Sequence, residues 1–417
     1  MKNTKNILLT AFLLETLCVT YALHLPWLVA VASVVHTLAG FAISYVLLFT
    51  KPGNENNTGR IFDFKTTANR YRWVILIAAL VAMCYAGAKT MAEEPPDYRS
   101  ADMLPIIQVM CQRFLAGHWL QVYAPIQEIW NGTVPIYLPA MWLPFSLPEF
   151  LRVDLRWLTV LLFFIVLGCF LWRVSFRQKT SWLVFLCGFL LFCFLFTDEK
   201  PGLVAYTEEG IVVFYYVLLT MVLLRNKENI WLLGICTSLC VLSRYALIGW
   251  LPAMLLYFAW RKEWKNLLRF TFTGLACFLL LVLLPFGTAV VHSMMGLPGA
   301  YIAFTARVWN DSPEVFSTGP GLAKFFGPGK IETLHYLLIV LTFCLPLLAM
   351  ISGLLARKKY KVPDRNLPIA VFKLSLVVFY CFIDVPYLYL FYTSSFVSLI
   401  AVASFVQRSS GTADPRP

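Results

Sequence analysis

Hydrophobic positions in this chain fall into long uninterrupted blocks rather than short amphipathic stripes. The blocks run over roughly 7–24, 27–50, 73–90, 156–172, 181–197, 210–224, 230–243, 245–260, 270–287, 333–355, 367–384 and 387–406. A helix needs about 20 mainly apolar residues to cross the hydrocarbon core of a bilayer. The pattern therefore predicts an all-α, polytopic transmembrane bundle of about 12 helices, several of them short. The basic start, Met1 to Lys5, is followed by no small-residue cleavage site, so the first block is read as a retained helix.

The polar positions between the blocks sort by sign. With a cytoplasmic N-terminus and alternating helices, the inside segments are 1–6, 51–72, 173–180, 225–229, 261–269, 356–366 and the C-terminal tail. They hold 23 of the 34 Lys and Arg. That is the positive-inside pattern. RKEWKNLLR (261–269) and RKKYKVPDR (357–365) lie inside; the acidic tracts EEPPD (93–97) and TEE (207–209) lie outside. Reading 230–260 as two helices keeps this alternation. Both termini are then cytoplasmic, and residues 1–417 form one integral membrane domain.

Composition changes the picture little. The chain is 59% hydrophobic and 13% charged, against about 25% charged in soluble domains. Its net charge of +12 sits in short loops, which is topogenic charge and not a nucleic-acid footprint. Ten of the eleven Cys lie in or beside apolar blocks; only Cys111 falls in an exterior loop. No disulfide framework is predicted.

Two exterior loops are long, at 91–155 and 288–332. The first carries a short amphipathic helix from about Met103 to Phe114. PIYLPAMWLPFSLPEFL (135–151) follows, too rich in Pro for a straight spanning helix, and is expected to lie at the interface or re-enter the membrane. In the second, GPGLAKFFGPGK (319–330) reads as a mobile loop. Its spacing is wrong for a phosphate loop, and no strand precedes it.

Candidate chemistry is thin within the blocks. Glu15, His36 and Lys373 stand on three different helices and form no relay; Lys373, near the inner end of its helix, can snorkel. The exterior side is richer, with Asp97, Asp102, His118, Glu128, Arg244 and Asp384. Asp102 is either the N-cap of the helix that follows or a general base, with Asp97 as the alternative acid. Arg244, in LSRYALIGWLP (242–252), is either an interfacial anchor or a two-pronged clamp for a phosphate. Arg307, Lys324 and Lys330 are further cations for that task. Glu208 and Glu209 are either solvated loop acids or line an acceptor entrance. Trp119, Tyr123, Trp130, Tyr137 and Trp142 form either an interfacial belt or a platform for sugar rings. His118, His292 and His335 lack metal-ligand spacing.

The run from Asp102 through Ala116-Gly117-His118-Trp119, Val122-Tyr123-Ala124-Pro125 and Ile136-Tyr137-Leu138-Pro139 to Pro144 resembles the first external loop of GT-C superfamily glycosyltransferases. It is most similar to the family 87 mannosyltransferases, which use polyprenyl-phosphate mannose. Ser243-Arg244-Tyr245 through Arg261-Lys262 resembles a later block of the same family. The resemblance implies inverting transfer of a hexose, mannose in that family's pattern, from a polyprenyl-phosphate sugar to a glycan or lipid acceptor. The reaction would take place at the outer face of a membrane, with a bacterial inner membrane as the setting. It makes Asp102 or Asp97 the base and gives the donor phosphate to Arg244 and Arg307. His118, Trp119, Tyr123 and Tyr137 become the substrate-positioning residues. It calls for no cofactor. Many members carry an acidic pair where this chain has Asp102-Met103, which weakens any case for a bound metal. The competing expectations are a multipass transporter or flippase for a lipid-linked glycan, and a structural membrane subunit.

Overall fold

The computed structural model describes residues 2–21, 24–49, 68–99, 102–130, 132–174, 179–197, 204–225, 229–360 and 366–408. The basic tracts predicted to lie inside at 51–67 and 361–365, and the tail at 409–417, lie outside the described residues. Among the described residues every regular element is helical, and the sole β-type pairing is an isolated bridge between Ile126 and Thr133.

The longer helices are α1 (Lys2–Val19), α2 (Val29–Phe49), α3 (Ala68–Glu93), α4 (Met103–Leu115), α5 (Arg156–Arg173), α6 (Lys179–Thr197), α7 (Glu209–Leu223), α8 (Ile230–Val241), α9 (Trp250–Trp260), α10 (Trp264–Phe278), α11 (Leu284–Asp311), α12 (Ile331–Tyr360), α13 (Leu367–Phe382) and α14 (Leu390–Arg408). Each apolar block but one falls on one of them; 270–287 runs from α10 through a π-helical turn into α11, and 230–260 is split as predicted. Among the described residues, five stretches are long and apolar enough to cross a membrane: Val29–Phe49, Tyr71–Glu93, Arg156–Arg173, Trp264–Thr288 and Pro328–Arg357. The apolar helices α7, α8 and α13 are shorter than these.

Two faces of the bundle contrast. On α3, Val74, Ile77, Val81 and Tyr85 are exposed, an apolar surface of the kind that lipid covers. Almost every residue of α14 from Phe391 to Val402 is buried, and this helix packs on α1, α5, α6, α7 and α13. Gly249 marks the tightest crossing: a Cβ there would sit 1.8 Å from the carbonyl oxygen of Thr342 in α12.

The loops differ from expectation in their degree of order. The Pro-rich stretch after α4 folds into short helical turns, Pro139–Trp142, Leu143–Phe145 and Ser146–Phe150. Trp142 and Phe145 are fully buried, and the Ala140 amide donates to the Leu242 carbonyl at 3.0 Å, stitching the loop to the α8–α9 junction. Cys111 is buried beneath it.

The second loop is mostly helix. A π-helical turn, Leu279–Leu283, leads into α11, which kinks at Gly287 (φ 68°) and then continues to Asp311. The kink needs glycine, because other residues are strained at that φ. The segment 319–330 is packed down rather than mobile. The Leu322 amide donates to the Cys381 carbonyl at 2.8 Å, and Ala323 is buried. Its glycines serve close approach: a Cβ on Gly319 would lie 1.8 Å from the Pro386 carbonyl oxygen.

Candidate functional site

The C-terminal ends of α8 and α13 meet the N-terminal ends of α4, α7 and α14, and polar side chains gather there. Arg244, in extended backbone just after α8, turns its guanidinium to the start of α7. Nη1 donates to Glu209 at 2.6 Å and Nη2 to Glu208 at 3.3 Å. The two carboxylate side chains are 0% and 2% exposed, and that of Arg244 is 10% exposed. Such a triad is stable because each buried charge has an opposite partner in direct contact. Thr393, in the first turn of α14, donates to the second oxygen of Glu209.

Asp102 stands beside this triad. It immediately precedes α4, but its side chain makes no capping hydrogen bond. Burial pushes its carboxyl above the ordinary range. Burial likewise raises Glu208 in spite of Arg244, and the Asp102 charge adds to that rise. The Tyr137 phenol is pushed up by burial and by the charges of both Glu208 and Asp102. Tyr389 donates to the Met103 sulfur at 3.3 Å, joining the start of α14 to that of α4.

A His–Asp pair lies nearby. His335 Nδ1 is 2.6 Å from Asp384 Oδ2, and burial raises Asp384 even with His335 beside it. Tyr301 of α11 feels Arg244, Asp384 and Glu208 together. The Glu208 Oε2 and Asp384 Oδ1 atoms are buried with no hydrogen-bond partner among the described residues. Carboxylate oxygens in that state suit a ligand that donates hydroxyl hydrogen bonds.

Asp102, Arg244 and Tyr137 are thus brought together. The remaining expected site residues are not with them. Asp97 accepts the Arg99 amide at 3.1 Å and closes a local turn. His118 and Trp119 are exposed beyond the far end of α4, a helix length of about 20 Å from Asp102. Trp119 stacks on Phe114, with centroids 5.8 Å apart. Tyr123 supports the site from behind, donating to the Tyr137 carbonyl at 3.0 Å and accepting from Trp142 Nε1 at 3.0 Å. Arg307 is exposed on α11. Lys324 donates to the Gly319 carbonyl at 2.9 Å, and burial lowers its pKa to about 8.

No family model, curated protein or solved structure matches this chain.

Two expectations need correction on the geometry. Arg244 is not an open clamp, since two carboxylates already occupy its donors. Glu208 and Glu209 are not solvated loop acids, since both are buried as its partners. The groups inside the blocks also differ from expectation. Lys373 does not snorkel; both it and Glu15 are fully buried. Its ammonium donates to Glu15 at 2.6 Å, to the Ser394 hydroxyl at 2.6 Å and to the Ser394 carbonyl at 3.1 Å. His36 lies against Cys381 at 3.9 Å. Thr393 and Ser394 are consecutive, so the backbone of α14 joins the Arg244–Glu209 and Lys373–Glu15 groups into one polar path. Among the described residues, no three His, Cys, Asp or Glu side chains are grouped to hold a metal ion.

Proposed function

We propose that this chain is a multi-pass membrane glycosyltransferase of the GT-C type. It transfers a hexose, mannose by resemblance, from a polyprenyl-phosphate sugar to a glycan or lipid acceptor at the outer face of a bacterial inner membrane. The observation that carries the reading is Asp102: a half-buried carboxylate at a helix start, unused as a cap, raised by burial and set among tyrosines and acids. That is the state expected of a general base.

The chemistry assigned to these residues is a single displacement. The Asp102 carboxylate takes the proton of the acceptor hydroxyl as that oxygen attacks the anomeric carbon. The new carbon–oxygen bond forms while the bond from the sugar to the phosphate oxygen breaks, and the electron pair leaves on the phosphate. Arg244 acts as a positioning residue, holding Glu208 and Glu209 so that Glu208 and Tyr137 face the sugar hydroxyls. The leaving phosphate is assigned to Arg307, on the same helix as Tyr301, and to Lys324 in the segment that follows that helix. Phosphate beside Lys324 would restore the full charge that burial depletes. A lipid-borne donor reaches such a site because it lies where helix ends meet the loops.

A transporter or flippase would need intramembrane charges facing a pathway. The Lys373–Glu15 pair instead closes on itself and Ser394, which favours the enzymatic reading.

The test is sugar transfer by purified protein from a synthetic polyprenyl-phosphate mannose, comparing wild type with Asp102→Asn. Loss of a general base lowers the rate by about 10²–10⁴-fold. Equal rates in the two proteins would remove Asp102 as the base. No product from wild type with any polyprenyl-phosphate hexose would remove the proposal.

A further inference from the structure

A second recess opens beside α4. Its volume is about 320 Å³, and its lining includes Leu104, Gln108, Glu149, Arg152, Asp154 and Arg156. Leu104 and Gln108 are one turn apart on one face of α4. Leu104 is two positions after Asp102, about 200° around the helix. The recess and the Asp102 cluster therefore flank the same short helix.

Its opposite wall is the helix Ser146–Phe150 and the turn that ends it. The Val153 amide donates to the Pro148 carbonyl at 2.9 Å and the Arg152 amide to the Glu149 carbonyl at 3.0 Å. This is a Schellman ending, whose left-handed position glycine ordinarily fills. Arg152 fills it here, at φ 55°. Lys262 does the same after α9, so a cation at a helix C-terminus has its own electrostatic benefit. What distinguishes Arg152 is its surroundings. Its side chain is exposed and borders a recess whose other polar groups are already fixed.

Those groups are well held. Glu149 accepts Gln108 at 3.3 Å and Gln112 at 2.9 Å. Asp154 is paired at 2.6 Å with Arg156, whose side chain is 2% exposed. Two carboxylates face two guanidiniums, so the recess is balanced in charge and suits a neutral ligand. Planar amide, carboxylate and guanidinium groups at fixed positions match the paired hydroxyls of a sugar. The volume is at the lower end of small-ligand sites, about 300–1,000 Å³.

We infer that this recess is a carbohydrate subsite that binds the acceptor glycan, with Arg152 retained in a left-handed conformation for that contact. Its role as the acceptor site rests on the glycosyl-transfer reading; saccharide binding can be measured without transfer.

The experiment is saturation-transfer NMR with mannobiose and methyl α-mannoside on the full chain in nanodiscs. Wild type, Arg152→Gly, Gln108→Ala and Lys262→Gly are compared, with thermal unfolding recorded for each. Wild type and Lys262→Gly, the same change at the other left-handed helix ending, should bind alike. Arg152→Gly should bind about 10–100-fold more weakly, as loss of a charged hydrogen bond implies, while unfolding no earlier than wild type because glycine relieves the turn. Absence of saturation transfer in wild type, or equal binding by Arg152→Gly and Gln108→Ala, overturns the subsite. Transfer without saccharide binding would overturn the subsite and leave the enzymatic reading standing. Binding without transfer would do the reverse.

Discussion

At the scale of single residues, Asp102 makes the sharpest statement. Its carboxyl is raised by burial, and a general base, the role proposed for it, must be ionised to act. The acid limb of kcat/KM should therefore lie above the ordinary aspartate range, and activity should rise with pH through that limb. The stability sign is opposite. A carboxyl with a raised folded pKa favours folding at low pH, and that contribution fades as pH rises through the raised value. Wild type should lose melting temperature over that window, and Asp102→Asn should not. Arg244 gives a second residue-scale prediction. Arg244→Met strands Glu208 and Glu209 as buried charges and should destabilise by about 3–5 kcal/mol in detergent unfolding. Adding Glu209→Gln should recover part of that loss; no recovery would argue against the triad. Asp102 was legible because an acid stands just before an amphipathic stretch. The Arg244 triad was not, because its members are 35 and 36 positions apart and a loop-like TEE tract gives no sign of burial. The usable signal was topological: the alternation of helices puts both tracts on the same side.

At the scale of elements, α14 is the axis on which the polar path is hung. Its first turn holds Glu209 through Thr393, and the next residue holds Lys373. Lys373→Met should be strongly destabilising, because it leaves the Glu15 carboxylate buried without its cation. The double variant Lys373→Met, Glu15→Gln should melt well above the single one, since replacing a buried pair by neutral groups often comes close to even. Equal melting of single and double variants would mean that the pair is not coupled. Hydropathy located α1 and α13 but not which way their faces turn. Apolar residues all round a helix leave no moment to read, so Glu15 and Lys373 looked scattered. The Pro-rich run after α4 was legible as a non-helix, but not as a packed layer over Cys111, because its burial depends on Phe286, distant in sequence. Trp142 and Phe286 have centroids 5.6 Å apart.

At the scale of the whole molecule, the helical plan was readable because lipid imposes it. Backbone polar groups must be satisfied within each segment, so helices follow directly from apolar run length. The segment 319–330 was misread as mobile because Gly and Pro mark both mobile loops and tight packing. Gly287 is a bend and Gly319 a close contact, and neither can be told from a flexible joint without the neighbour it touches. The candidate cluster draws on α4, α7, α11, α14 and the α8–α9 junction, so only the assembled bundle creates it.

The Glu15–Lys373 pair also sets a schedule for synthesis. Its two members are 358 residues apart, so a ribosome adding about 5–20 residues per second needs roughly 20 to 70 s to supply the second after the first. Throughout that interval the earliest segment carries an acid with no counter-ion, which opposes its settling in the bilayer core. Chains truncated before α13 should accordingly be degraded quickly in cells, and Glu15→Gln should prolong their lifetime in a pulse–chase measurement. Equal turnover of the two truncated forms would show that the early segment tolerates its lone charge.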